Sequence, residues 1–74
     1  MTRLPRNVSG AECIRALERA GFTIQRRSSS HVTMRRDVPY GWVVVPDHDE
    51  IKPGTLRAII RQAGLTVEEF VKLL

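Results

Sequence analysis

Two matching helix-start motifs, one near each end of the chain, constrain the fold more than any other feature of this sequence. Ser9 is followed three residues later by Glu12, and Thr66 is followed three residues later by Glu69. In such a motif the hydroxyl accepts a hydrogen bond from the backbone of the third helical residue, and the carboxylate accepts one from the capping residue. Gly21 is placed as the left-handed glycine that ends a helix. The sequence therefore predicts a helix of about three turns after Ser9 and a short helix after Thr66.

The residues between these helices predict three short strands and one more helix. Apolar and polar residues alternate over 22–26 and 31–35, whereas 42–45 is a continuous β-prone run that indicates a more buried strand. Pro53 suits the first turn of a helix, whose apolar stripe runs on to Ala63.

The order of these elements predicts the architecture. Short connections favour an antiparallel three-stranded meander with the helices packed on one face of the sheet. The expected fold class is therefore α+β, with the opposite face of the sheet open. The 74 residues suffice for one domain, 1–74, in which residues 1–8 are expected to form an extended N-terminal arm.

Positive charge is concentrated in the first half of the chain. Residues 1–36 contain eight arginines and two glutamates, a balance of +6, whereas residues 37–74 contain four basic and six acidic residues, a balance of −2. Arginine is the side chain best shaped for bidentate contact with phosphate, so a nucleic-acid-binding face is one interpretation. A solvated, solubilising surface is the alternative, and charge alone does not separate the two.

The cysteine count and the hydropathy pattern bear on where the protein works. Cys13 is the only cysteine, which excludes an internal disulfide and agrees with a reducing cytoplasm. No apolar run approaches the roughly 20 residues that span a membrane, and the basic N-terminus lacks the apolar stretch of a signal peptide. No cysteine–histidine pattern predicts a zinc site. We therefore expect a cytoplasmic protein with no membrane association, metal or other cofactor.

His31 is the residue best suited to chemistry. If Val32 and Met34 face the core, His31 shares the open face with Thr33 and Arg35. Imidazole titrates near neutrality, so it can take a proton from a ribose 2′-hydroxyl and later return one. The alternative is an ordinary surface histidine at the start of a strand.

Cationic side chains flank His31 in the sequence. Arginines beside a histidine are what an RNA-backbone site needs, although single arginines are more often solvated. Lys52 precedes a helix whose first backbone amides attract phosphate, with simple capping as the alternative. The flanking arginines are Arg26, Arg27, Arg35 and Arg36.

Three further residues have a structural and a functional interpretation. His48 lies in an acidic segment; an ordinary loop residue is favoured over a metal ligand, and a supporting role beside His31 remains open. Tyr40 and Trp42 have rings that stack on bases, but a tryptophan at the start of a strand more often belongs to the core.

Residues 10–74 resemble the HicA-type mRNA interferase toxins. The run KPGTLRAIIRQAGLT over 52–66 is similar to the family's signature around its second helix, and the order and spacing of the other matching segments agree. The other matching segments are Leu17–Phe22, Ser30–His31 and Val45–His48.

The resemblance implies a fold, an activity and a partner. The fold is that of a double-stranded-RNA-binding domain, α-β-β-β-α, here followed by a short C-terminal helix. The activity is metal-independent cleavage of mRNA with His31 as the essential residue, and the partner is a HicB-type antitoxin that covers the active site. The residues expected to contact RNA are Ser30, Lys52 and the four arginines at 26, 27, 35 and 36, with His48 in support.

Two positions differ from the common family pattern. Ser29 stands where members commonly have glycine, and Val32 stands where they often have a second histidine. Glycine is the residue most tolerant of positive φ and of close backbone approach to phosphate. The alternatives to a toxin ribonuclease are a non-catalytic RNA-binding module that uses the same basic face and a protein whose open sheet face only docks a partner.

Overall fold

A computed structural model describes residues 2–74 as helices packed on an antiparallel sheet of three strands. The sheet order is β1-β2-β3, so each strand pairs with its neighbour in the sequence. The predicted α+β class and order of elements are confirmed. Within residues 2–74, no helix combines the length and apolarity needed to cross a membrane. The elements are α1 (Gly10–Arg19), β1 (Thr23–Arg27), β2 (His31–Arg36), β3 (Gly41–Pro46), α2 (Pro53–Gln62) and α3 (Val67–Leu73).

Both predicted capping motifs form in full. Glu12 N donates to Ser9 Oγ at 3.1 Å, and Ser9 N donates to Glu12 Oε1 at 2.9 Å. The Thr66–Glu69 pair repeats this exchange at 3.0 and 2.8 Å. The backbone and side-chain hydrogen bonds from Ser9 hold the pKa of the Glu12 carboxyl below its usual value. Gly21 has a φ of +99° after α1, as the sequence predicted.

The sheet has one buried and one open face. Val32, Met34, Val43 and Val45 are fully buried under the helices. The residues between them point the other way, so buried and more exposed residues alternate along β3. The continuous β-prone run over 42–45 had instead suggested a strand buried on both faces. Trp42 is 52% exposed on the open face, which corrects the expectation that it belongs to the core.

A bulge interrupts the pairing of β1 with β2. Thr23 and Ile24 pair with β2 residues in regular register, but the register shifts before Arg26, which lies opposite Thr33. All residues of the edge strand β1 are exposed, Ile24 by 37%, so the alternation of buried and exposed residues predicted over 22–26 does not hold throughout.

The chain before α1 packs against the loop that follows β3. Residues 2–9 contain no helix or strand, but Val8 is buried in the core and its carbonyl accepts a hydrogen bond from Ile51 N at 2.8 Å. Gly10 N donates to His48 O at 2.8 Å. The segment expected to be an arm is therefore packed at its end; residue 1 lies outside the described residues.

Candidate functional site

An open groove of about 510 Å³ lies where the start of β2, the end of β3 and the first turn of α2 meet. The loop over 47–52 forms one wall, and the open face of the sheet forms the floor. Polar side chains of several kinds therefore face one space that is large enough for a nucleotide-sized ligand. The lining residues are His31, Val44, Pro46, His48, Glu50, Lys52 and Thr55.

The backbone of His31 is fixed by the serine loop that precedes β2. His31 N donates to Ser28 Oγ at 3.1 Å, and Ser28 N donates to His31 O at 2.9 Å. On its other side His31 pairs with Pro46 of β3. His31 is therefore held between the serine loop on one side and β3 on the other, while its side chain remains exposed.

The imidazole of His31 has one neighbour that orients it. Ser30 Oγ lies 3.0 Å from His31 Nδ1. When Nδ1 carries the proton it donates to this hydroxyl, and Nε2 is then left with a free lone pair. Such an arrangement suits a proton acceptor whose second nitrogen is held by a fixed partner.

Backbone contacts to the serine loop before β2 and to α1 hold the loop that carries His48. Asp47 N donates to Ser30 O at 2.9 Å, and the His48 carbonyl accepts from Gly10 N. An ideal Cβ on Gly10 would lie 2.5 Å from Pro46 O, so α1 approaches this segment as closely as only glycine allows. His48 is therefore placed in the groove by a loop anchored on both sides.

Lys52 reaches the groove from the start of α2. It is the N-cap residue, yet its side chain makes no capping hydrogen bond, and Pro53 follows at the first helical position. The ammonium group and the positive end of the helix dipole thus act on the same end of the groove. Together they favour an anionic ligand there.

The structure brings some of the predicted cations together and separates others. Arg35 and Arg26 lie on the open face, opposite Thr23 and Thr33 respectively, and Arg35 Nε is 3.2 Å from Asp37 Oδ1. Arg27 Nη1 is 3.7 Å from Asp47 Oδ2, so its charge is partly offset beside the groove.

Arg36 has a different role from the one expected. Its Nε donates to Pro39 O at 2.9 Å, Nη1 to Ala20 O at 2.9 Å and Nη2 to Ala63 O at 3.1 Å. Its guanidinium carbon also lies 4.6 Å from the centre of the Phe22 ring. Because these bonds occupy its donors, the guanidinium joins the ends of α1 and α2, and the assignment of Arg36 to RNA binding stays a prediction.

The positions that differ from the common pattern do not disturb the groove. Among the described non-glycine residues, positive φ occurs at Asn7 and not at Ser29. The hairpin that contains Ser29 therefore does not require glycine's conformational freedom. Val32 is fully buried on the helix-covered face. A second histidine at position 32 would therefore point away from the groove.

Sequence reasoning missed Glu50 and Thr55 as lining residues. The lining positions 44, 46, 48, 50 and 52 are two residues apart, so extending the alternation of β3 past Pro46 would have found Glu50. Thr55 lies in the helix entry that was expected to attract phosphate, but its own side chain was not assigned to the site. In residues 2–74 no group of three or more His, Cys, Asp or Glu side chains is arranged to hold a metal ion.

The fold and groove define a small α+β domain of the double-stranded-RNA-binding type, with a histidine exposed beside cationic groups. A family model described as the HicA toxin of bacterial toxin–antitoxin systems matches residues 10–65. The chain belongs to the HicA toxin family, and membership of a toxin–antitoxin system implies an antitoxin partner. Comparison with curated proteins gave no match.

Proposed function

We propose that this HicA-family toxin is an endoribonuclease that cleaves mRNA in the groove, with His31 as its catalytic residue. The observation that carries the proposal is the placement of an exposed, serine-oriented imidazole in one groove with a lysine and a helix N-terminus. A base and an anion-binding group side by side are what cleavage of a phosphodiester by its own 2′-hydroxyl requires.

The reaction needs proton transfer at two oxygens. The 2′-hydroxyl gives its proton to His31 Nε2 as its oxygen bonds to phosphorus. The bond from phosphorus to the 5′-oxygen breaks, and that oxygen takes up a proton. The products are a 2′,3′-cyclic phosphate and a 5′-hydroxyl, so atoms balance without a metal or a co-reactant.

His48 supplies the proton for the 5′-oxygen in this proposal. It lines the same groove as His31 and is held by the Gly10 contact to its own carbonyl. The two imidazoles act as base and acid in cleavage and exchange these roles when the cyclic phosphate is hydrolysed, which returns each to its starting protonation state. His48→Ala should lower kcat more than it raises KM, because the proton donor to the 5′-oxygen acts in the chemical step.

Cations around the groove bind the RNA backbone. Lys52 stabilises the negative charge that develops on the scissile phosphate, and Ser30 orients His31. Arg26 holds a neighbouring phosphate on the open face, Arg35 contacts the RNA on the same face, and Arg27 adds to the field beside Asp47. A HicB-type antitoxin neutralises the toxin by covering this groove.

The decisive experiment is incubation of antitoxin-free protein with single-stranded and structured RNA in the presence of EDTA. The parent should cleave RNA, His31→Ala should not, and Gln62→Ala, an exposed change on α2, should cleave as the parent does. Thermal unfolding of each variant checks that the fold is kept. Intact RNA with the parent, together with retained binding in a gel shift, would replace the enzyme by an RNA-binding module.

A further inference from the structure

An exposed aromatic ring continues the open sheet face beyond the groove. Trp42 lies directly opposite Arg35 in the β2–β3 register, and the Thr33–Val44 pair separates them from the His31–Pro46 pair. These side chains share one face of the sheet because they are spaced by two along each strand. The groove and the tryptophan therefore belong to one continuous surface.

The distance along that surface suits a chain of nucleotides. His31 and Arg35 are four residues apart on β2, which is about 14 Å at the usual rise of an antiparallel strand. A phosphate held beside His31 thus places a base a few nucleotides away over Trp42. The half-buried Val44 lies in between on β3, lines the groove and leaves the path open.

The chemistry of the surface favours RNA over a protein partner. Trp42 offers a flat ring, 52% exposed, and Arg35 lies beside it with its charge shared with Asp37. Arg26 lies farther across the same face and makes no ion pair with the part of the chain that the structure describes. Unstacked bases bind to aromatic and guanidinium planes, whereas their phosphates need the unpaired positive charge.

We infer that Trp42 and Arg35 form a base-stacking subsite for single-stranded RNA, outside the groove where cleavage is proposed. The inference rests on the proposed function for its ligand. Stacking on one aromatic side chain contributes about 1–3 kcal/mol per base, so loss of the ring should weaken binding by about 5- to 150-fold. Because every base has a flat face, this subsite adds affinity without demanding one base sequence.

The test uses the full chain and a short 2′-O-methyl RNA, which lacks the nucleophilic hydroxyl and so binds without being cleaved. Trp42 is the only tryptophan, so its fluorescence reports on this position alone. We expect RNA to quench the tryptophan fluorescence of the parent saturably. Binding by the variants is followed through a fluorescent label on the RNA; it should be about tenfold weaker for Trp42→Ala and close to that of the parent for Trp42→Phe. Val38→Ala removes another exposed apolar group from the nearby turn and should change nothing.

Each other outcome overturns a defined part of the reasoning. Unquenched fluorescence with unchanged binding by Trp42→Ala removes the subsite, even if the parent cleaves RNA. Quenching by the 2′-O-methyl RNA in a parent that does not cleave RNA keeps the subsite and removes the proposed catalysis. If Trp42→Ala weakens only the complex with the antitoxin, the face docks protein and the inference is wrong.

Discussion

Replacing Arg36 by methionine tests whether this side chain holds the fold together or binds RNA. Methionine keeps an unbranched apolar stem of similar reach but removes every donor. The substitution deprives the carbonyls of Ala20 and Ala63, at the ends of α1 and α2, of a charged partner in a partly buried position. The third bond, to Pro39 O, is exposed, so water can replace it.

The magnitude follows from these contacts. A hydrogen bond to a charged group contributes about 1.5–3 kcal/mol, and the lower end suits partly buried groups, so the two helix-end bonds amount to about 3 kcal/mol. The contact with the Phe22 ring adds about 0.5 kcal/mol, which a methionine sulfur near the ring largely recovers. For a domain of this size, a loss of about 3 kcal/mol lowers the Tm by about 12–24 °C.

The assay is urea and thermal unfolding of Arg36→Met beside two controls. Arg36→Lys keeps the positive charge and can replace one of the hydrogen bonds, so its stability should lie between that of the parent and that of Arg36→Met. Arg57→Met removes an exposed arginine from α2 and should stay within about 0.5 kcal/mol of the parent. If Arg36→Met is as stable as the parent and instead reduces the salt dependence of RNA binding, Arg36 contacts RNA and its structural role is refuted.

Three further substitutions and one labelling reaction test the capping and packing of α1. Gly10→Ala would place a Cβ 2.5 Å from the carbonyl oxygen of Pro46, so the free energy of unfolding should fall by about 1–3 kcal/mol. The control Gly54→Ala, whose Cβ would meet nothing within 4 Å, should be neutral or slightly stabilising. A Gly10→Ala variant as stable as the parent would contradict the close approach. Ser9→Ala should lose about 1 kcal/mol of stability in urea. Because the folded pKa of Glu12 is lowered, its contribution is present above the unfolded value of 4.5 and is lost as the pH falls through the folded pKa; Glu12→Gln should abolish that part of the acid profile, and an unchanged profile would exclude it. Burial raises the pKa of Cys13 to about 12, so a thiol reagent at about pH 8 should label it only as fast as urea unfolds the protein, and fast labelling of the native chain would contradict this burial.

Local chemistry made the helices and the central strand predictable. The capping motifs at Ser9 and Thr66 act within four residues, so no distant contact could override them. The alternation around His31 also survived, because β2 has a neighbour on each side and the helices cover only one of its faces. The placement of His31 on the open face was therefore visible before the fold was known.

Tertiary contacts decided what the sequence could not show. Whether Trp42 is buried depends on which sheet face the helices cover, and a run of β-prone residues looks the same in either case. Arg36 is bonded to carbonyls 16 and 27 residues away, so nothing near it in the chain announces its role. Glu50 joins the groove through the loop that Gly10 holds.

Mutations that abolish toxicity are expected to fall into two classes, one on each face of the sheet. A selection for cells that survive its expression would recover one class of mutants at positions such as Val32 and Met34, where the protein fails to fold and is degraded. Under the proposed function, a second class, at His31 and its neighbours on the opposite face, would lose toxicity while the protein still folds and accumulates at normal levels. Successive residues of β2 belong alternately to the two classes. The cellular level of the mutant protein should therefore alternate between low and normal from one β2 position to the next.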